Sequence, residues 1–349
     1  MEHQVKNNTD YRYLGRSALK VSPLCLGAMM FGGETDAPTA QRIIAQAYDQ
    51  GINFIDTADA YHAGNSEQVV GRAIAAQREH WVVATKFGYP ASAAAGPNQQ
   101  GQSRKWIMQT VEAGLKRLNT DYIDLLYFHR ALSNVTLEEA MRTIGDLIRQ
   151  GKLRYYGVSN FHGWRIAEIV RMADQLGMER PVASEPLYNI VDRTAEVEQL
   201  PAASFYGLGV VSYSPLARGV LSGKYAPDAP PPADSRAGRG DRRIQQTEWR
   251  PESLQIAQTI AAHAAERGTT PVAFAIAWAL KNSLVSAVIA GPRTEAHWAS
   301  YLEALTLQLG PDDETLVDAL VRPGHASTHG YTDPGYPVEG RKTDLQNRR

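Results

Sequence analysis

Apolar residues in this chain fall into two patterns that take turns along its length. Short apolar runs of strand length alternate with longer stretches in which apolar residues recur every three or four positions. The first run is Ser22-Pro23-Leu24-Cys25-Leu26-Gly27. The stretch 38–50 then places Ile43, Ile44 and Ala47 on one helical face and stops at Gly51. Ile52-Asn53-Phe54-Ile55 is the second run, and Asn65-Ser66-Glu67 opens a helix with Val69, Val70, Ala73 and Ile74. The third run, Trp81 to Thr85, precedes a helix capped by Ser103 that carries Ile107, Val111, Leu115 and Leu118. The fourth, Ile123 to Phe128, precedes a helix with Leu137, Met141, Ile144 and Ile148, in which Thr136 and Glu139 have capping-box spacing.

Four more pairs follow: strand 155–158 with helix 164–176, strand 182–184 with helix 194–206, strand 209–212 with helices 252–267 and 271–281, and strand 287–290 with helix 294–307. Eight strands alternating with helices predict an α/β chain folded as a single-domain (β/α)8 TIM barrel over residues 13–310. A doubly wound sheet would place G-x-G-x-x-G after its first strand. Gly27-Ala28-Met29-Met30-Phe31-Gly32-Gly33 does not fit that pattern, and Gly207-Leu208-Gly209 precedes a strand instead of following one. Three segments lie outside the alternation. Residues 1–12 read as a polar leader, and 311–349 as an irregular C-terminal tail. Residues 218–250, rich in Pro, Gly and Arg, form a loop after strand seven too long for an ordinary connection, which reads as a lid or a disordered segment.

Composition narrows the class. A chain of 349 residues that is 43% hydrophobic can bury one large core. Its 36 basic and 37 acidic side chains leave a net charge of -1, so no global field draws nucleic acid or an anionic membrane. No apolar run approaches the ~18 residues of a spanning helix, and the leader has no signal-peptide core. The expectation is a cytoplasmic protein with a small-molecule substrate and neither nucleic acid nor membrane as partner. Cys25 is the only cysteine, which rules out an intrachain disulfide or a cysteine-cluster metal site, and no metal is expected.

The strand ends carry the candidate chemistry. The second run ends in Asp56, with Tyr61 just beyond it, the third in Lys86 and the fourth in His129. Barrel enzymes keep their reactive groups at the carboxyl ends of their strands. Adjacent strands lie about 4.8 Å apart, so these side chains can converge at one mouth. A tyrosine with its usual pKa of about 10 is a poor acid, and a nearby ammonium favours the phenolate. A buried aspartate holds that ammonium in place, and a histidine can orient a carbonyl oxygen. The set is a proton donor facing an electrophilic carbonyl, without a nucleophile, and suits a hydride arriving from a cofactor. Taken singly each residue has an ordinary explanation, such as a loop cap, a packed ring or a satisfied core histidine. Their joint occurrence on consecutive strand ends favours chemistry.

From about Tyr13 to Leu309 the chain resembles the aldo-keto reductases. Gly51-Ile52-Asn53-Phe54-Ile55-Asp56-Thr57-Ala58-Asp59-Ala60-Tyr61, continued by Asn65-Ser66-Glu67 and Val70-Gly71, is similar to that family's first signature. Thr85-Lys86 and Phe128-His129 fall where the family keeps its lysine and histidine. The resemblance implies reversible NADPH-dependent reduction of an aldehyde or ketone, with Tyr61 as the general acid, Lys86 and Asp56 tuning it, and His129 orienting the carbonyl. It further implies that Ser159 and Asn160 hold the nicotinamide carboxamide and that Tyr213 stacks on its ring. The segment Ser214-Pro215-Leu216, through Arg218 and Gly219 toward Lys224, then runs along the pyrophosphate. Glu185 stands where the family often has Gln; ionised, it accepts a hydrogen bond from the carboxamide but donates none. At the adenosine end are Gly291, Arg293 and His297. His297 stands where Gln is common, and Tyr301-Leu302 where Glu-Asn is. Arg293 suits a 2′-phosphate, which favours NADP, with NAD as the alternative. Substrate choice in a barrel is set by loops, here 29–33, 88–102, 130–134, the long loop after strand seven and the tail, within which Met30, Phe31, Tyr89 and Trp249 are candidates for an apolar substrate pocket. Two rival functions remain at this level. One is a nicotinamide-binding regulatory subunit with little turnover, a role some members of the resembled family fill for channels. The other is a Schiff-base aldolase using Lys86, disfavoured because Asp56 keeps the lysine charged. Substrate identity and oligomeric state are not specified by the sequence.

Overall fold

In the computed structural model, which describes residues 10–90, 92, 94–132 and 135–338, the eight expected strands are present and parallel. They are β1 (Leu24–Gly27), β2 (Phe54–Asp56), β3 (Val82–Phe87), β4 (Ile123–Phe128), β5 (Leu153–Ser159), β6 (Ala183–Glu185), β7 (Gly209–Ser212) and β8 (Val285–Ala290). Each pairs with the next, and β8 returns to β1, closing the barrel. Nearly every strand residue is buried, since one face looks into the barrel and the other lies under helices. That is why the strands read as unbroken apolar runs. The interior is filled by Cys25, Phe54, Val82, Ala84, Leu125, Tyr127, Ala183, Val211 and Ala287, and a larger apolar layer packs between strands and helices.

The register aligns the strand ends that matter. Gly27 pairs with Asp56, Asp56 with Ala84, Lys86 with Tyr127 and Ser159 with Glu185. The polar residues that end these strands therefore surround one mouth.

The connecting helices are α1 (Ala37–Asp49), α2 (Asn65–Ile74), α3 (Arg104–Leu118), α4 (Glu138–Arg149), α5 (Gly163–Leu176), α6 (Gln199–Tyr206), α7 (Arg242–Gln246), α8 (Pro251–Glu266), α9 (Pro271–Lys281), α10 (Glu295–Leu302) and α11 (Pro311–Leu320). The cap at Ser103 forms as expected, accepting from the N–H of Trp106, and Thr294, expected as the first residue of the last helix, is its cap and accepts from the N–H of His297. The capping box at Thr136 does not form. Leu137 is the cap of α4, and Glu139 Oε1 instead accepts the N–H of Arg104 at 2.7 Å. The helix expected over 194–206 is split into a 3-10 turn, Thr194–Glu196, and α6. Pro201 accounts for the break, since it has no N–H for the carbonyl of Val197 and its ring crowds that position.

Two ends of the chain differ from expectation. A two-stranded antiparallel hairpin, Arg12–Tyr13 with Lys20–Val21, closes the amino-terminal end of the barrel. Leu14 and Val21 enter the interior core, and the N–H of Arg16 donates to the carbonyl of Gly207 at 2.9 Å. Two-residue strands are too short to produce a periodic pattern. The tail begins with α11, which is not irregular. Pro311 and three acids fill its first turn, Val317 is buried, and Asp313 pairs with His263 at 2.7 Å. The first nine residues of the leader and the tail from Glu339 onward lie outside the described residues. Among the described residues, no helix is long and apolar enough to cross a membrane.

α2 and α3 approach closely at Gly71. A Cβ there would stand 2.3 Å from the carbonyl oxygen of Leu118. Because the obstacle is backbone, it cannot swing aside. Gly71→Ala is expected to destabilise the barrel by about 1–3 kcal/mol through overpacking. A lower urea midpoint is the expected result, and an unchanged midpoint would refute the close-packing argument.

Candidate active site

Lys86 sits at the centre of the mouth and is almost wholly buried. Its Nζ donates to Asp56 Oδ1, reaches the carbonyl oxygen of Thr57 at 3.1 Å and the Tyr61 hydroxyl at 3.4 Å, and lies 3.6 Å from Glu185 Oε1. Burial works against the ammonium, but Asp56 and Glu185 outweigh it, so the Lys86 pKa rises and the lysine stays charged. Burial raises both carboxylic acids while Lys86 opposes it. Glu185, which also feels Asp56, is displaced well upward. One ammonium thus faces two carboxylates, a charge arrangement that a Gln at 185 would not create.

Tyr61 stands on a 3-10 turn just after β2, in which His62 and Ala63 take left-handed backbone angles. Burial raises its pKa, Lys86 pulls it down, and Asp56 and Glu185 raise it further. The net direction is upward, so the phenol holds its proton at neutral pH and is available as a donor. The His129 ring meets Tyr61 edge-on at 5.9 Å between centroids and Tyr89 at 4.6 Å. Burial, then Lys86 and Arg130, push His129 well below its usual range, so it is neutral. Asp56, Tyr61, Lys86 and His129 are brought together, with Lys86 beneath the other three.

The walls around this floor form a cavity of about 650 Å³. Ser159, Asn160, Glu185 and Tyr213 line its middle. They hold one another. Tyr213 donates to Asn160 Oδ1 at 2.8 Å, the Asn160 amide donates to the carbonyl of His129 at 3.1 Å, and Ser159 donates to the carbonyl of Glu185 at 3.0 Å. Among the described residues, none hydrogen-bonds the buried second carboxylate oxygen of Glu185. One wall runs from Ser214, Pro215 and Leu216 past Arg218 and Gly219 to Lys224, with Gly291, Arg293 and His297 opposite. The N–H groups of Ala217, Arg218 and Gly219 are engaged within the loop, by the Ser214 carbonyl, the Ser214 hydroxyl and the Leu216 carbonyl. Charge along this wall therefore comes from side chains. Lys224 Nζ would lie 3.2 Å from a Cβ at Gly219, and Arg218 pairs with the buried Glu248 at 3.0 Å.

The long loop after β7 crosses this end. Arg293 Nη1 donates to the carbonyl of Asp234 at 2.8 Å, and Arg236 and Arg239 from the same loop also line the cavity. The loop includes α7, which the tail anchors through the Arg243–Asp333 ion pair. The cavity is thus cationic at its outer wall, while its acids, Asp56 and Glu185, lie on the floor against Lys86. An unpaired carboxylate oxygen on the floor and clustered cations along the outer wall fit a molecule with an amide at one end and phosphates further along, as a nicotinamide dinucleotide has.

Of the four apolar candidates, Met30 and Tyr89 line the cavity. Phe31 is fully buried in the helix-facing core, and Trp249 packs edge-on against Tyr225 at 4.9 Å; neither is on the cavity wall. Arg130, Arg239, Arg243 and Tyr336 also line it, each from a loop or tail segment that the sequence marks as substrate-facing only as a whole. The Arg-rich composition of 218–250 was a signal for Arg239 and Arg243. Tyr336, hydrogen-bonded to Tyr89 at 3.0 Å, had none of its own.

The profile of the Aldo/keto reductase family matches residues 23–322. A rice (Oryza sativa subsp. japonica) protein described as a probable voltage-gated potassium channel subunit beta is 35% identical over 92% of this chain and 99% of its own. An Arabidopsis thaliana protein with the same description is 37% identical, over 84% of this chain and 90% of its own. An uncharacterized oxidoreductase of Bacillus subtilis (strain 168), YrpG, is 35% identical over 92% of this chain and 99% of its own.

Asp59, in the segment that carries Tyr61, accepts from the Thr110 hydroxyl at 2.9 Å and is buried. Burial raises its pKa to about 7, against the Thr110 hydrogen bond. The folded protein then binds a proton that the unfolded chain releases near pH ~4. Between pH ~4 and ~7 stability falls as pH rises, by at most about 4 kcal/mol from this residue. Asp59→Asn is expected to flatten the pH dependence of the urea midpoint in that window. Parallel curves for the two proteins would count against a raised Asp59.

Proposed function

The chain belongs to the Aldo/keto reductase family, and from that premise we propose that it reduces an aldehyde or ketone to the alcohol, reversibly, with NADPH. The observation that supports this reading best is the buried contact set in which one charged lysine reaches Asp56 and the Tyr61 hydroxyl while a neutral His129 stands across from the phenol. A nicotinamide dinucleotide, when bound, supplies the hydride. The rest falls to the chain. Tyr61 gives its proton to the carbonyl oxygen as the oxygen becomes an alkoxide. Lys86 stabilises the phenolate left behind, and Asp56 holds the ammonium in place. His129, being neutral, can hydrogen-bond the carbonyl oxygen and orient it. Asn160 and Tyr213 present a fixed amide and ring face toward the nicotinamide end, and Glu185 accepts from the carboxamide. Arg293 and Lys224 face the phosphates. A charged Lys86 argues against Schiff-base chemistry, which needs the neutral amine. We place the protein in the cytoplasm, on the same reading.

The plant relatives favour a second reading, in which the cofactor-loaded protein serves as a regulatory subunit with slow turnover. Rapid multiple turnover with any carbonyl favours the enzyme. Oxidation of only one equivalent of bound NADPH across a broad panel favours the subunit.

Tyr61→Phe is expected to lower kcat by about 10²–10⁴ with the NADPH Kd within about threefold of the parent; normal turnover would sink the proton-donor role. Arg293→Ala is expected to raise the NADPH Kd about 10–100-fold and to leave NADH nearly unaffected, as for loss of a charge-assisted contact. Equal effects on both nucleotides would remove Arg293 from the 2′-phosphate.

A further inference from the structure

The guanidinium groups around the cavity are not equivalent. Arg218 pairs with Glu248, Arg236 with Asp241, and Arg243 with Asp333, while Arg293 faces Asp234. Arg239 donates to the carbonyl of Asp234 and belongs to the outer, phosphate-facing wall. Arg130 differs from all of them in place and in partners. It directly follows His129, so it stands at the reacting end of the cavity. Among the described residues no carboxylate pairs with it, and its Nε is buried without a hydrogen-bond partner. Its guanidinium carbon lies 4.5 Å from the centroid of the Tyr89 ring, whose own centroid is 4.6 Å from that of His129. Tyr89 is fixed in turn by its hydrogen bond to Tyr336. One aromatic ring therefore separates the group that would orient a carbonyl from a held, uncompensated cation.

A half-buried guanidinium with an unused N–H and no carboxylate partner is a ready site for an anion, which supplies both the acceptor and the opposite charge. Its planar fork matches a carboxylate or phosphate. The acids of the cavity floor do not serve, since Asp56 and Glu185 are turned to Lys86.

We infer that the substrate is a carbonyl compound carrying a compact oxyanion, a carboxylate or a phosphate, a short distance from its carbonyl, and that Arg130 binds that anion. The inference rests on the carbonyl-reductase reading for the identity of the reacting group. The specificity comes from Arg130, with Tyr89 and Tyr336 as the wall that holds its plane.

The test compares charged carbonyls with neutral counterparts: 4-oxobutanoate against its methyl ester, and glycolaldehyde phosphate against glycolaldehyde. The parent is expected to favour at least one anion over its neutral form by about 10–100-fold in kcat/KM, mostly through KM. In Arg130→Met that ratio is expected to fall toward one, and Arg130→Lys to recover part of it. The arm with the larger ratio identifies the anion. A ratio near one in the parent, or a ratio unmoved in Arg130→Met, overturns the inference. So do equal losses of kcat for charged and neutral substrates in Arg130→Met, which would mean that Arg130 acts only through His129. A calorimetric arm separates this inference from the parent reading: the same pairs titrated into the NADP-loaded protein. Preferential anion binding lost in Arg130→Met supports the inference even where no carbonyl is reduced, and equal affinity for each pair overturns it.

Discussion

A charged lysine inside a closed barrel is the constraint on which the rest of the site depends. Removing an ammonium from water is expensive, and breaking a buried pair by deleting one partner typically costs about 3–5 kcal/mol. Lys86 is tolerated because β2 and β6 bring carboxylates to it from two directions, Asp56 and Glu185, while a backbone carbonyl and a phenol complete its surroundings. That arrangement requires the three strands to end at one height, which the parallel register secures. The Tyr61 phenol, the neutral His129 and the cavity-lining Ser159, Asn160 and Tyr213 are all placed relative to this ion cluster.

The cluster also sets the direction of the chemistry. With Lys86 held charged, the amine cannot act as a nucleophile, and its field falls on Tyr61 and His129 instead. Burial and the two carboxylates keep the proton on the phenol. Glu185 makes the site more negative than a neutral residue there would. Its upward displacement, by burial first and then by Asp56, eases that charge.

Outward from the barrel, function is built by segments with no regular pattern. The loop after β7 crosses to Arg293, and the tail pairs Asp333 with Arg243 and Tyr336 with Tyr89. These contacts join residues far apart in sequence and decide which of the cavity's arginines are already paired with carboxylates. Such pairings leave no trace in spacing or composition, so the loop that begins at Arg130 and the tail that holds Tyr336 were legible only as segments, whereas Asp56, Lys86 and His129 were legible singly, because a polar residue at the end of an apolar run is visible by itself.

The sequence by itself determined the eight-fold alternation, the closed barrel that it implies, and the meeting of Asp56, Tyr61, Lys86 and His129 at its mouth, because strand and helix periodicities are local and strand ends are marked by their residue types. It also indicated family and cofactor class through short contiguous motifs. Only the tertiary structure decided that Phe31 and Trp249 point into packed core, that the amino-terminal hairpin plugs the barrel, and that α11 and the tail are anchored to the body. It alone placed Glu185 opposite Lys86. The physical reason is the same in each case: a side chain's neighbours across the barrel are fixed by closure and register, which no local pattern encodes.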